Sequence, residues 1–410
     1  MDVLGYARLL KNKNLDSEVW LDGVPTDCVS FWQHLQAKFP DLSDQIENLL
    51  PGLSAKEHHA ISISAVSTDP ASITQAVINT PREWRRFLED LPSATPDCER
   101  ARLVHDEIIA RNARQLHPLW VLSQRRHGWM SAQIEGGGNL DARAMVTRGL
   151  QLSRLAPNIM IKVPGSEEGY KAIESLVAQG CSINNTFCFT VSQVSACLKA
   201  INLGRLRAQV QGVNTERAVH VISFMIGSLS AEPIFERQAQ DRRIRMTAAD
   251  RRWAEILVYQ AIQSLLLRRP TPVRLVLCDL SLDIDTQGEA HCWHLQRTGA
   301  DTTIYALTPP MLEFLLTREQ QNQPITPANG WVQAPKRTLN RLLMIEYFNQ
   351  AYFEGDLAPA EFAQHPAFVK ASQQALDAEE QLQAFVRGLR DSVRVGARSS
   401  TVPCMAGQMT

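Results

Sequence analysis

The residue whose type and position most invite chemistry is Lys162, in the stretch NIMIKVPGSEEGYKAI at 158–173. A lysine rarely sits inside an apolar run, because taking an ammonium out of water is costly or makes the group give up its proton. The neutral amine that burial favours is a nucleophile for carbonyl carbons. Strand alternation puts Ile159, Ile161 and Val163 on one face and Met160 with Lys162 on the other, until Pro164 and Gly165 end the run. Ser166 then caps a helix that carries Glu167 and Glu168 in its first turn and the apolar face Tyr170, Ile173, Leu176 and Val177, and that stops at Gly180. Lys162 therefore lies near the C-terminal end of the strand in a βα unit. In barrels built from such units that end faces the active site.

The elements that must position it recur along the chain. Eight strand-like runs are separated by helical pattern: EVWLDGV (18–24), AISISAVST (60–68), GWMSAQIEG (128–136), NIMIKVPG (158–165), CSINNTFCF (181–189), AVHVISFMIG (218–227), VRLVLCDLS (273–281) and DTTIYAL (301–307). Amphipathic segments such as LDARAMVTRGLQLSRL and DRRWAEILVYQAIQSLLLR lie between them. Eight such alternations predict an α/β protein, a single (β/α)8 TIM barrel with additional C-terminal helices. We divide the chain into a barrel at 1–340, C-terminal helices packed on it at 341–395, and a flexible tail at 396–410.

Several runs carry a polar residue near the C-terminal end of one face: Asp22, Ser67, Gln133, Lys162, Thr186 and Ser223. A buried Ser, Thr or Gln alone is commonly a satisfied core group. Six of them at one end of a barrel, with a lysine and an aspartate among them, point to a catalytic mouth.

Composition narrows the field of function. The 410 residues are 44% hydrophobic and 21% charged with a formal net charge of -1, which leaves neither a nucleic-acid footprint nor a polybasic membrane patch. A small-molecule substrate is the default. The start MDVLGYARLLKNKN lacks a basic region followed by a sustained apolar one, and no apolar run approaches the ~18 residues needed to span a bilayer, so a cytoplasmic location is expected. Eight cysteines without a CxxC pair make no disulfide framework, and Cys181, Cys188 and Cys278 read as small hydrophobes in strands. The HCWH stretch at 291–294 and the adjacent His58 and His59 lack the spacing and partners of a metal site.

With these residues in view, the chain resembles the transaldolase family, including its fructose-6-phosphate aldolase relatives. IMIKVPGSEEGYKAI is similar to the family's Schiff-base strand and following helix, and SINNTFCFTVSQV to its fifth-strand motif with Asn184 and Thr186. VWLDGV, VSTDPASI and VISFMIGSL are fainter matches, the first placing Asp22 at the family's first-strand aspartate. The pieces run in family order over about residues 17 to 310, and the chain from Met311 on is not matched. The departures are specific. Gln133 stands where transaldolases carry glutamate, as in the aldolase branch, with Glu135 two residues on along the same expected face. Met225 replaces that branch's tyrosine, Asp69 replaces the asparagine of the TTNP turn, and Ser228 replaces the arginine that grips a substrate phosphate.

The resemblance implies a lysine Schiff base with a ketose-type donor at Lys162 and no metal or organic cofactor. Asp22 would serve as general acid/base, and Thr186 with Gln133 or Glu135 would hold the water that carries protons. Asn184, Ser67 and Asp69 would bind donor hydroxyls, with Ser223 and Ser228 near the place of the phosphate clamp. An arginine-rich segment with Arg237, Arg242, Arg243, Arg245, Arg251 and Arg252 reads either as a replacement clamp or as a solvated helix face. Three readings stand: a transaldolase acting on sugar phosphates, a divergent Schiff-base aldolase or transferase of specialised metabolism with an unphosphorylated substrate, and a barrel without catalysis.

Overall fold

The computed structural model describes residues 17–24, 28–47, 49, 63–299, 303–327 and 330–399. Eight strands form the barrel: β1 Glu18–Asp22, β2 Ala65–Ser67, β3 Trp129–Gln133, β4 Ile159–Pro164, β5 Ile183–Cys188, β6 His220–Met225, β7 Val273–Cys278 and β8 Thr303–Leu307. The ring closes through β1 and β8, and every neighbouring pair is parallel. Each of the eight expected runs holds one of these strands. Residues 60–62, 301 and 302 of the second and eighth runs lie outside the described residues, as do His58 and His59.

Alternation sorts the side chains of β4 as the sequence predicts. Met160 joins Trp20, Ala65, Val221, Val276, Ile304 and Ala306 in the barrel's interior cluster, whereas Ile159, Ile161 and Val163 pack outward in the larger core beneath the helices. The floor is closed by a polar knot. Glu18 accepts from Ser64 Oγ at 2.8 Å and Trp20 Nε1 at 3.2 Å, and it pairs with Arg274. Burial pushes its carboxyl up, but hydrogen bonding to His127 and the charge of Arg274 outweigh that and hold it at about 2.

After the barrel come the short helices Lys336–Leu342 and Glu346–Tyr352 and the long helix Pro366–Ser399. The long helix is tied to segments that follow β2, β3 and β6 and to β5 itself. Thr74 Oγ1 donates to Ala378 O at 2.9 Å, Ser372 Oγ to Gly137 O, Phe368 meets Phe187 edge-on at 5.5 Å, and Lys370 pairs with Glu232 at 3.2 Å. It thus runs along the mouth side of the barrel. Gly136, Gly137 and Gly138 all have positive φ, and a Cβ on Gly137 would lie 2.6 Å from Ser372 O, so the close approach of this helix requires glycine there. The helix continues to Ser399, past the expected start of the tail, and residues 400–410 lie outside the described residues. No helix among the described residues is long and apolar enough to cross a membrane.

Candidate active site

Lys162 is 6% exposed, and its Nζ donates to Ser67 Oγ at 3.2 Å and to Thr68 O at 3.1 Å. Register places it between Gln133 on β3 and Asn184 on β5. Asn184 is fully buried and bridges two neighbours: its Nδ2 donates to Ser131 Oγ at 2.9 Å, and its Oδ1 accepts from Ser223 Oγ at 2.8 Å. A polar belt thus runs from β3 to β6 at the level of the lysine. Thr186 is also buried and sits within an irregularity of β5 between Asn185 and Cys188, where Phe187 takes a φ of 51°.

Asp22 ends β1 in register with Ser67. Burial pushes its carboxyl up to about 6, against the pull of the Lys162 charge and with help from Asp69 and Asp279. Asp22 Oδ1 and Gln133 Oε1 are buried and accept no hydrogen bond from the described residues. Two buried acceptors left open beside a lysine are suited to a ligand that brings hydroxyls or water. Cys278 closes the interior from β7, and burial, then the charge of Asp22, drives its thiol well above the ordinary range, which leaves it inert.

The remaining expected residues divide. Asp69 caps the helix Pro70–Asn79, accepting from Ser72 N at 2.8 Å, so one of its oxygens is engaged while its charge still reaches Asp22. Ser228 follows β6 on the rim, and its Oγ donates to Asp279. Glu135 corrects the expectation of a shared face with Gln133. The strand ends at Gln133, the chain turns into three glycines, and the Glu135 carboxylate is gripped outside the barrel by Arg148 at 2.6 and 2.7 Å, near His105 at 3.3 Å. His105, Asp106 and Glu135 approach one another closely enough to suggest a metal, but the Arg148 guanidinium touches all three and takes the place of a cation.

Other motifs find separate partners. His291 binds Asp285 at 2.9 Å, and His294 binds the buried Glu255 at 2.8 Å, so the HCWH pair does not converge. Of the arginine-rich segment, Arg251 pairs with Glu236, and Arg252 pairs with Asp283 and Glu255 at 2.9 Å each. Arg237, Arg242, Arg243 and Arg245 are exposed. The residue that sequence reading missed is Asp279, which directly follows β7 on the rim, one position past the inward-facing Cys278 and so off the face that alternation selects.

A family model described as "Transaldolase/Fructose-6-phosphate aldolase" matches residues 52–265, a little over half of the chain. Among curated proteins, the chain is similar to "Transaldolase 1" of Streptomyces avermitilis, 29% identical over 42% of this chain and 46% of that protein. It is also similar to "Transaldolase" of Thiobacillus denitrificans, 28% identical over 43% and 50% of the two chains. "Transaldolase" of Campylobacter jejuni is 25% identical over 40% and 51%. The chain thus spans about half the length of the curated relatives it matches.

Proposed function

This chain belongs to the transaldolase/fructose-6-phosphate aldolase family, and from that premise we propose that it is a transaldolase-type enzyme working through a Schiff base on Lys162. The Lys162 amine attacks the ketone carbon of a ketose-type donor, and loss of water gives an iminium. Asp22 takes the proton from the hydroxyl next to the breaking carbon–carbon bond. The electrons of that bond move into the iminium, an aldehyde leaves, and a lysine-bound enamine remains. The enamine adds to an acceptor aldehyde in transfer or takes a proton in cleavage, and in both cases water hydrolyses the resulting iminium to release the ketone and free the Lys162 amine. Gln133, with Thr186, holds the water that serves imine formation. Asn184, Ser67 and Ser223 bind donor hydroxyls. The setting is cytoplasmic carbohydrate metabolism.

The observation that carries this reading is the buried lysine at the mouth of a closed barrel, bonded to Ser67 and Thr68 beside an aspartate raised to about 6. The test is transfer from a ketose donor, fructose or fructose 6-phosphate, to an aldose acceptor by the full chain and by Lys162→Met. Loss of at least ~10³-fold in the variant is expected for a covalent nucleophile. Turnover by Lys162→Met at the wild-type rate would sink the proposal.

A further inference from the structure

The rim between β6 and β7 carries an acidic residue held in a defined place. Asp279 follows β7 with a φ of 58°, in the left-handed region. Two contacts from the turn after β6 hold it there: Gly227 N donates to Asp279 O at 3.1 Å, and Ser228 Oγ donates to its carboxylate. The residue is solvent-exposed and directly follows the C-terminal end of β7, so it stands on the rim of the mouth that holds the lysine, and its charge is felt by Asp22 and by Cys278 inside the barrel.

The charges around that space favour one kind of ligand. Asp69 and Asp279 both act on Asp22, so Lys162 is the cation of a mouth that carries three carboxylates. The cation that the long C-terminal helix brings toward this rim is Lys370, and it is paired at 3.2 Å with Glu232, itself buried. Arg251 and Arg252 are taken up by carboxylates of their own. A phosphate dianion seated here would meet the Asp279 carboxylate directly, whereas a hydroxyl can donate to it.

We propose, on the footing of the Schiff-base reading, that Asp279, held by Ser228 and Gly227, receives a hydroxyl-bearing, uncharged end of the substrate and discriminates against the phosphorylated counterpart. Asp279 is thus a specificity-determining residue, and the substrate class is an unphosphorylated polyhydroxy ketone.

Calorimetric titration of the full chain and of Asp279→Asn with fructose and with fructose 6-phosphate, at one ionic strength, tests this. Asparagine is well suited to a positive φ, so the variant keeps the turn while losing the charge. The wild type should bind fructose at least tenfold more tightly than its phosphate. Asp279→Asn should narrow that ratio at least fivefold, chiefly by admitting the phosphate. Tighter binding of the phosphate by the wild type, an unchanged ratio in the variant, or binding of neither sugar overturns the proposal. Borohydride reduction of the same samples separates the two claims: a sugar that binds but leaves no adduct on Lys162 removes the Schiff base and leaves the measured discrimination standing.

Discussion

Lys162 Nζ on β4 reaches past β3 to Ser67 Oγ on β2, 3.2 Å away. The bond fixes the amine toward the Asp22 side of the mouth, since Ser67 is the register partner of Asp22. Ser67→Ala should leave the fold intact, costing about 1 kcal/mol or less, because Lys162 keeps its bond to Thr68 O. The amine would be less well aimed. A fall in turnover of roughly tenfold, the scale of a modest misplacement, is expected with little change in melting temperature, and equal turnover would show that the bond has no positioning role.

Asp22 should set the acidic limb of the pH profile. Its carboxyl titrates at about 6, so general-base action fades below that pH, and Asp22→Asn should lose the limb together with ~10²–10⁴ of the rate. The stability effect has the opposite sign. A carboxyl raised in the folded state favours the fold while protonated, and that contribution is lost as pH rises from about 4 toward 6. Asp22→Asn should therefore be more stable than wild type at pH 8 and no more stable at pH 3, by denaturant melts.

Glu379 ties the long C-terminal helix to the loop after β3, where both of its oxygens accept from Gly136 N at 3.0 Å. Burial, and then the nearby Glu135 charge, push its carboxyl up to about 7 against the pull of Gly136 N and His105. The raised value means that stability is lost as pH rises from about 4.5 through 7. Glu379→Gln keeps an acceptor for Gly136 and removes the titration. Its gain over wild type should be close to zero at pH 4 and grow to roughly 2 kcal/mol at pH 8. A gain that does not change with pH would refute this.

Gly227 has no room for a side chain, because a Cβ there would lie 2.1 Å from Asp279 O. Gly227→Ala should cost roughly 2–3 kcal/mol, an overpacking penalty, and should shift the Asp279 turn. Wild-type thermal stability in this variant would mean that the two turns are not locked together.

The barrel was legible in the sequence because each strand repeats one physical pattern, apolar alternation ending in a polar residue and a turn. Asp22, Ser67, Gln133, Lys162, Thr186 and Ser223 could be grouped on that pattern alone, Asn184 came from the family resemblance, and the structure sets them on barrel strands around Lys162. Glu135 was misplaced because alternation was carried beyond the strand, which stops at Gln133 when three glycines of positive φ follow. Asp279 was passed over because it comes one position after the inward-facing Cys278, off the face that alternation selects. The knot of Glu18 with Arg274 joins residues 256 positions apart, and the clasp of Glu379 on Gly136 joins residues 243 apart. Contacts of that span leave no local mark on a sequence.

Reductive trapping tests the central claim most directly. The full chain is incubated with fructose, with fructose 6-phosphate and with dihydroxyacetone, reduced with borohydride, and mapped by peptide mass. Schiff-base chemistry predicts a sugar-dependent adduct on the peptide containing Lys162 and none in Lys162→Met. An adduct spread over surface lysines, or no adduct on Lys162 from folded protein with any of the three, would contradict it.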